Sequence, residues 1–246
     1  MYKIAKIKIE STNINKEEEL DDIEWLFTMY YRNGQVLENY LIEDYIDHYI
    51  VTITITDDDA LDSKYNNKYV NDQLKKVKIS NIQITVNDAL TTDSCHCTDY
   101  DRFYLVPSID ISSPIYCSKC EKEIPLYKLP HYYDDEYTPI LDFIKMYHSL
   151  SNLYIYGLKD SYTVKEIMNP KSTFNKLGLK ICKTYSKILK KDVLLKINNL
   201  HYETLQDLES FIELEKCPRC KNDLEEHQNS FLYQKECKKC KIVYED

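Results

Sequence analysis

The sequence is poor in glycine, with only three residues of this type among 246. Loops that cradle phosphates, such as the P-loop, depend on several closely spaced glycines, so this scarcity argues against such a loop. The sequence also lacks a GxSxG nucleophile elbow and an HExxH metalloprotease motif. No pair of carboxylates stands out from the acidic background. We therefore expect a non-catalytic protein with no small-molecule substrate.

Long apolar runs are also missing. The sequence has no stretch of eighteen consecutive apolar residues, which is the length that a membrane-spanning helix needs. Its first residues alternate lysine with apolar residues and lack the apolar core of a signal peptide. These features predict a cytoplasmic protein with no membrane partner. In that reducing compartment, cysteine pairs at ligand spacing indicate metal binding more than disulfides.

The clearest motif is a pair of CxxC sequences near the C-terminus. Cys217 and Cys220 are followed, after sixteen residues, by Cys237 and Cys240. Each CxxC can form a tight turn that directs two thiolates at one point, and a hairpin between them would complete a tetrahedral Zn²⁺ site. The alternatives are two disulfides or four unrelated buried thiols. A site with four protein ligands has no open position, so we expect a structural zinc ion and a zinc ribbon over residues 215–246.

A second cysteine cluster lies earlier in the chain. Cys95 and Cys97 are followed by Cys117 and Cys120. Cysteines two apart on an extended segment face the same side, so CxC with CxxC can complete a second zinc site of four cysteines. The alternatives are a site in which His96 or His131 replaces one cysteine, a redox-active CxxC at 117–120, or packing alone. We therefore expect two structural zinc ions in the chain.

Residues 1–90 show an alternating order of strand and helix patterns. Strand periodicity occurs near Ile7, over 36–42, over 49–55 and over 82–86, and helix periodicity follows Asn15 and covers 60–77. The order β-α-β-β-α-β is that of the ferredoxin-like fold. The single tryptophan, Trp25, falls on the first helix, where we expect core or interdomain packing.

From Tyr137 up to the ribbon the chain is predicted to be largely helical. Residues 91–214 form a central region with the CxC/CxxC zinc site, a helix with its apolar stripe from Ile140 to Leu150, and a strand at 193–197. Residues 203–214 are an acidic connector. The predicted class is therefore α+β, with a ferredoxin-like domain over 1–90, the central region over 91–214 and the ribbon over 215–246.

Charge is unevenly distributed along this acidic chain, whose formal net charge is −9. Residues 171–200 contain eight lysines and a single acidic residue, Asp192. Within the predicted helix of residues 174–191, five lysines recur at spacings of four and three on one face: Lys176, Lys180, Lys183, Lys187 and Lys190. This face is either a phosphate-contacting surface or the solvated side of an amphipathic helix. Because it lacks arginine, it does not support sequence-specific readout.

These motifs together resemble an uncharacterised bacterial family of zinc-ribbon-containing proteins with a suggested role in nucleic-acid binding. The resemblance spans nearly the whole chain and rests on the segments 33–37, 95–97, 113–120, 125–130 and 178–182 and on the two C-terminal CxxC pairs. It implies that the eight paired cysteines are zinc ligands and that nucleic acid is a partner.

Two functions follow as hypotheses. In the first, the lysine face of 174–191 binds nucleic acid, and Phe231 and Tyr233 stack on bases. The ribbon residues that join this surface are Arg219, Lys221, Lys238, Lys239 and Lys241. In the second, the acidic surface of residues 1–170 binds and neutralises a basic partner protein, as an immunity or antitoxin protein does.

Overall fold

A computed structural model describes residues 3–12, 15–86, 94–109, 113–198, 215–227 and 230–245. These residues form two β-sheets and several α-helices, which confirms the mixed α+β class. The chain divides into two compact units, one of Met1–Cys95 with Lys122–Thr138 and one of His96–Glu121 with Pro139–Asp246. The predicted boundaries at 90 and 214 lie outside the described residues and stay predictions, and the connector at 203–214 lies outside them too.

The first unit contains a four-stranded antiparallel sheet. Its elements are β1 (Lys3–Glu10), α1 (Lys16–Arg32), β2 (Val36–Asp44), β3 (His48–Ile55), α2 (Lys68–Gln73) and β4 (Ile79–Val86). The strands lie in the order β2-β3-β1-β4, and each neighbouring pair is antiparallel. The predicted order of strands and helices in this part of the chain is thus the observed one.

Strict alternation creates the core face of this sheet. Ala5, Ile7 and Ile9 of β1 are buried, and the opposite-facing Lys6 is exposed. On β3, Tyr49, Val51, Ile53 and Ile55 are buried in the same way. Helix α1 begins where the Asn15 side chain accepts a hydrogen bond from the backbone N–H of Glu18. It covers the sheet with a buried stripe of Ile23, Leu26, Phe27 and Tyr30.

Two details of the first unit differ from the prediction. Residues 60–77 are not one helix, because the Asn67 side chain caps a new start by accepting from the N–H of Val70. The result is a short 3-10 turn at Ser63–Tyr65 followed by the six residues of α2. The Trp25 side chain is 55% exposed, so the expectation that it packs in the core is wrong, and the alternative of interdomain packing stays a prediction. It lies on the acidic outer side of α1.

The remaining elements build a six-stranded mixed sheet covered by helices. They are β5 (Arg102–Leu105), β6 (Ile115–Cys117), α3 (Thr138–Ile155), α4 (Asp160–Met168), α5 (Thr173–Leu189), β7 (Asp192–Ile197), β8 (Glu225–Glu226), β9 (Lys235–Cys237) and β10 (Ile242–Tyr244). The strand order is β6-β5-β7-β10-β9-β8. Strand β7 is parallel to both β5 and β10, so the C-terminal strands continue the sheet that begins with β6.

Close packing of α5 on this sheet explains one of the few glycines. A Cβ on Gly178 would lie 2.8 Å from Cζ of Phe143 and 3.0 Å from Cδ1 of Leu195. The predicted apolar stripe of α3, from Ile140 to Leu150, is buried as expected. Among the described residues, no helix combines the length and the apolar character needed to cross a membrane.

Candidate metal centres and basic surface

The C-terminal cysteines converge on one point. The sulfur atoms of Cys217, Cys220, Cys237 and Cys240 all lie within 4.8 Å of one another. The Sγ atoms of Cys217 and Cys240 are 3.9 Å apart, and those of Cys220 and Cys237 are 3.5 Å apart. A tetrahedral zinc ion with Zn–S bonds of about 2.3 Å would place its sulfurs about 3.8 Å apart. The four sulfurs therefore fit a tetrahedral thiolate site.

These separations exclude the disulfide alternative. A disulfide needs a sulfur–sulfur distance of about 2.05 Å, and none of the nine cysteines forms a disulfide. Cys182 lies outside both clusters, and burial in α5 raises the pKa of its thiol. That shift keeps Cys182 protonated and unreactive, as expected for a packed thiol.

Hydrogen bonds stabilise one thiolate of the C-terminal cluster. Burial opposes ionisation of Cys217, but hydrogen bonds from the Tyr244 hydroxyl and from the backbone N–H groups of Cys220 and Arg219 outweigh it and lower the Cys217 pKa to about 7. Burial and the neighbouring thiols raise the pKa of Cys237 to about 11 and also raise that of Cys240. Four thiolates at these distances repel one another. A bound divalent cation would offset this repulsion and keep all four ionised.

Each CxxC motif ends in the same backbone turn. The residue after its second cysteine has a positive φ, which is +53° at Glu121, +63° at Lys221 and +57° at Lys241. In two of the turns the N–H of this residue donates to the carbonyl of the first cysteine, at 2.9 Å for Cys117 and 2.8 Å for Cys217. Residues other than glycine rarely adopt this left-handed conformation. Its recurrence after all three CxxC motifs indicates one shared metal-binding turn.

The second cysteine cluster also forms as predicted. The sulfurs of Cys95, Cys97, Cys117 and Cys120 lie within 4.8 Å of one another. The backbone N–H of Lys119 donates to Sγ of Cys117 at 3.4 Å, as in a metal-binding turn. The motif leaves strand β6 into a turn, whereas a redox-active CxxC would begin a helix. The redox alternative therefore has no support in the structure.

Neither histidine joins the second cluster. His96 is exposed, and Nε2 of His131 lies 2.8 Å from Oδ1 of Asn33. The cluster is thus a set of four cysteines.

The predicted lysine face lies on α5 and its C-cap. Lys176, Lys180, Lys183, Lys187 and Lys190 are all exposed. Helix α5 begins where the Ser172 side chain accepts from the N–H of Asn175, and its opposite side is buried through Phe174, Ile181 and Tyr185. Within the part of the chain that the structure describes, none of the five lysines forms an ion pair. Their role in binding stays a prediction.

The basic and aromatic ribbon residues that were predicted to join this surface differ in their exposure and in their ion pairing. Arg219, Lys221 and Lys239 are exposed, whereas Lys238 pairs with Glu225 at 2.7 Å and Lys241 pairs with Asp192. Phe231 is 93% exposed and is available for stacking. Tyr233 is only 2% exposed, so the expectation that it stacks on bases is wrong.

Sequence reasoning missed the polar centre that buries Tyr233. The Arg102 guanidinium donates to both carboxylate oxygens of Glu236, at 2.9 and 2.8 Å, and to the Tyr233 hydroxyl at 2.9 Å. The Tyr104 hydroxyl lies 2.9 Å from the same Tyr233 oxygen. Arg102 is on β5 and Glu236 on β9, and no local pattern brings together residues 134 positions apart.

Comparison with known proteins supports an uncharacterised family. Residues 101–193 match a family described as "Domain of unknown function (DUF2310)", and residues 1–86 match one described as "Domain of unknown function (DUF8589)". Curated proteins gave no match. A solved structure described as "Structural Genomics, protein YJCS" is 6% identical, covers 36% of this chain and 100% of its own, and has a TM-score of 0.31. That likeness carries no conclusion about this chain.

Proposed function

We propose that this chain is a non-catalytic zinc protein with two structural four-cysteine sites that binds nucleic acid. The observation that carries the metal assignment is the convergence of two sets of four sulfurs, each within 4.8 Å. Thiolate sulfur is the ligand that Zn²⁺ takes in closed tetrahedral sites. Cys95, Cys97, Cys117 and Cys120 would hold one ion, and Cys217, Cys220, Cys237 and Cys240 the other. With four protein ligands each, both ions would serve folding.

Two finer fold assignments belong to this proposal. The antiparallel order β2-β3-β1-β4 with helices after β1 and β3 supports a ferredoxin-like first unit. The two CxxC turns joined through β8, β9 and β10 support a zinc ribbon at the C-terminus.

Nucleic-acid binding is supported by the exposed lysine face of α5. Lys16, Lys68 and Lys128 of the first unit are among the lysines held by nearby aspartates. The five lysines of the α5 face have no such partner among the described residues and form one exposed face. Lysines on one face of a helix can contact successive phosphates without reading bases. We therefore expect binding that is salt-dependent and indifferent to sequence.

The test uses a fluorescently labelled single-stranded RNA and fluorescence anisotropy over a salt series. A triple variant, Lys180→Glu, Lys183→Glu and Lys187→Glu, removes three phosphate contacts and should reduce the slope of log K against log salt by about 2 to 3. The matched control changes the charge of three exposed lysines of the first unit, Lys6→Glu, Lys75→Glu and Lys78→Glu, and should keep the slope. Absence of binding by the wild type at low salt would reject nucleic-acid binding.

The second candidate function is binding of a basic partner protein, and the outer side of α1 favours it. Glu17, Asp21 and Glu24 are exposed there beside the 55% exposed Trp25. An exposed tryptophan surrounded by acidic residues combines a typical hot-spot side chain with charges that attract a basic surface. If this function holds, affinity capture from source cells should return a stoichiometric basic protein, and Trp25→Ala should release it. No stoichiometric partner would reject it.

A further inference from the structure

A groove in the second unit lies beside the first cysteine cluster, and Cys120 of that cluster is one of its lining residues. Its volume is about 470 Å³, within the size range of small-molecule sites. One side is the CxxC turn of Cys117–Cys120, and the other is formed by His227, Ser230, Phe231 and Tyr233. The residues that matter for recognition are Arg102, Tyr104, Ser118, Lys119, His227 and Phe231.

Hydrogen bonds hold the two sides of the groove together. Oε2 of Glu121, the residue after the first CxxC, accepts from the backbone N–H of Phe231 at 2.6 Å and of Leu232 at 3.3 Å. Oγ of Ser230 accepts from the N–H groups of Leu232 and Tyr233, both at 3.2 Å. The backbone of Phe231 is therefore fixed, yet its ring is 93% exposed. A fixed aromatic ring that contributes nothing to the core is available to a ligand.

The charges in the groove exclude phosphate as the group recognised there. Arg102 is neutralised by Glu236, which is 3% exposed. Lys119 is paired with Asp99 at 3.1 Å and with Asp101 at 3.5 Å. A phosphate would meet these carboxylates as well as the cations, so the groove offers it no net attraction. A neutral polar ligand meets no such repulsion.

Two polar side chains at one edge of the groove, His227 and Ser118, can still form hydrogen bonds with a ligand. Nε2 of His227 is buried and forms no hydrogen bond with the described residues, although it lies within ion-pair distance of Oε2 of Glu236, at 3.4 Å. Oγ of Ser118 accepts from the backbone N–H of Arg102 at 3.2 Å, which leaves its hydroxyl proton to donate. A buried polar atom without a partner is costly, and a ligand that supplies one gains from it.

We propose that this groove binds one unpaired nucleobase, with the base stacked on Phe231 and its polar edge directed at His227 and Ser118. A nucleobase is flat and uncharged, has a π-face, and has donors and acceptors along its edge, so it matches each of these features. This inference rests on the proposed nucleic-acid function and names where a base would be held. The α5 lysines would contact phosphates, while the groove would select single strands over duplexes, whose bases are paired and stacked.

The first test measures single-stranded RNA binding to Phe231 variants by anisotropy at low salt. Loss of one stacked base costs about 1–3 kcal/mol, so Phe231→Ala should weaken binding about 5- to 150-fold. The salt slope should not change, because no ionic contact is lost. Phe231→Trp should retain binding. The matched control is Tyr133→Ala, which removes a 73% exposed aromatic ring from the first unit and should have no effect.

The second test uses an uncharged nucleoside, which removes the phosphate contribution. Saturation-transfer NMR with adenosine or cytidine should show contact with the wild type and none with Phe231→Ala. If RNA binds but Phe231→Ala binds it as the wild type does, the groove assignment is overturned and the lysine surface stands. If RNA does not bind but the nucleoside contact depends on Phe231, the proposed function fails and the groove remains a base site. If neither ligand binds, both are rejected.

Discussion

A Cβ placed on Gly34 would lie 2.5 Å from the Cβ of Leu126. The turn after α1 therefore touches the segment of residues 125–131 at backbone distance, although the two are far apart in the chain. The same turn is tied to that segment through Asn33, whose Oδ1 lies 2.8 Å from Nε2 of His131. Both segments were recognisable as motifs in the sequence, and their contact explains the glycine at position 34.

Substitution of Gly34 should therefore be costly. Gly34 has a φ of +69°, and Gly34→Ala combines a left-handed alanine with a clash, for an expected loss of about 2–4 kcal/mol. The control is Gly157→Ala, at a φ of +64° with nothing within 4 Å of the added Cβ, which should lose only about 1 kcal/mol. Urea unfolding followed by circular dichroism measures both. Equal losses would show that the contact with Leu126 is unimportant.

The first unit should lose stability in acid through Asp57. Burial raises the pKa of this carboxyl, but its ion pair with Lys128 at 2.7 Å and its hydrogen bonds from the Asp58 N–H and the Ser94 hydroxyl outweigh burial and lower the pKa from 3.8 to about 2. A lowered folded-state pKa contributes stability above about pH 4, and this contribution is lost as the pH falls through about 2. Unfolding midpoints of the wild type and Asp57→Asn at about pH 6, 4, 3 and 2 test this. The gap between the two proteins should close towards the lowest pH, and a constant gap would contradict the assignment.

The pair of Arg102 and Glu236 should behave as a buried ion pair. Because the Glu236 side chain is 3% exposed, Arg102→Leu alone leaves this buried charge without its guanidinium partner and should cost about 3–5 kcal/mol. The double variant Arg102→Leu with Glu236→Leu removes both charges and should recover most of that loss. Denaturant unfolding of the four proteins forms a double-mutant cycle. Additive effects would mean that the two side chains act independently.

The local features of this protein were predictable, and the long-range ones were not. The alternation of apolar and polar residues over 49–55 predicts β3, and the helix N-cap at Asn15 predicts α1. Both signals depend only on residues that are close together in the sequence. The cysteine spacings predict both clusters because paired cysteines at these spacings are typical of four-thiolate metal sites. By contrast, nothing near β7 shows that it pairs in parallel with both β5 and β10. The burial of Tyr233 likewise depends on Arg102 and Tyr104, which are distant from it in the sequence.

Metal content tests the central claim of two structural zinc sites most directly. Elemental analysis of protein purified without a metal-affinity step should find two zinc ions per chain. The double variant Cys217→Ser with Cys220→Ser should contain one zinc ion per chain, and so should Cys95→Ser with Cys97→Ser. The control variant Cys182→Ser should still contain two. If a double variant fails to fold, stepwise release of zinc from the wild type by a thiol-reactive mercurial gives the same count. A folded wild-type protein that contains no zinc would contradict the claim.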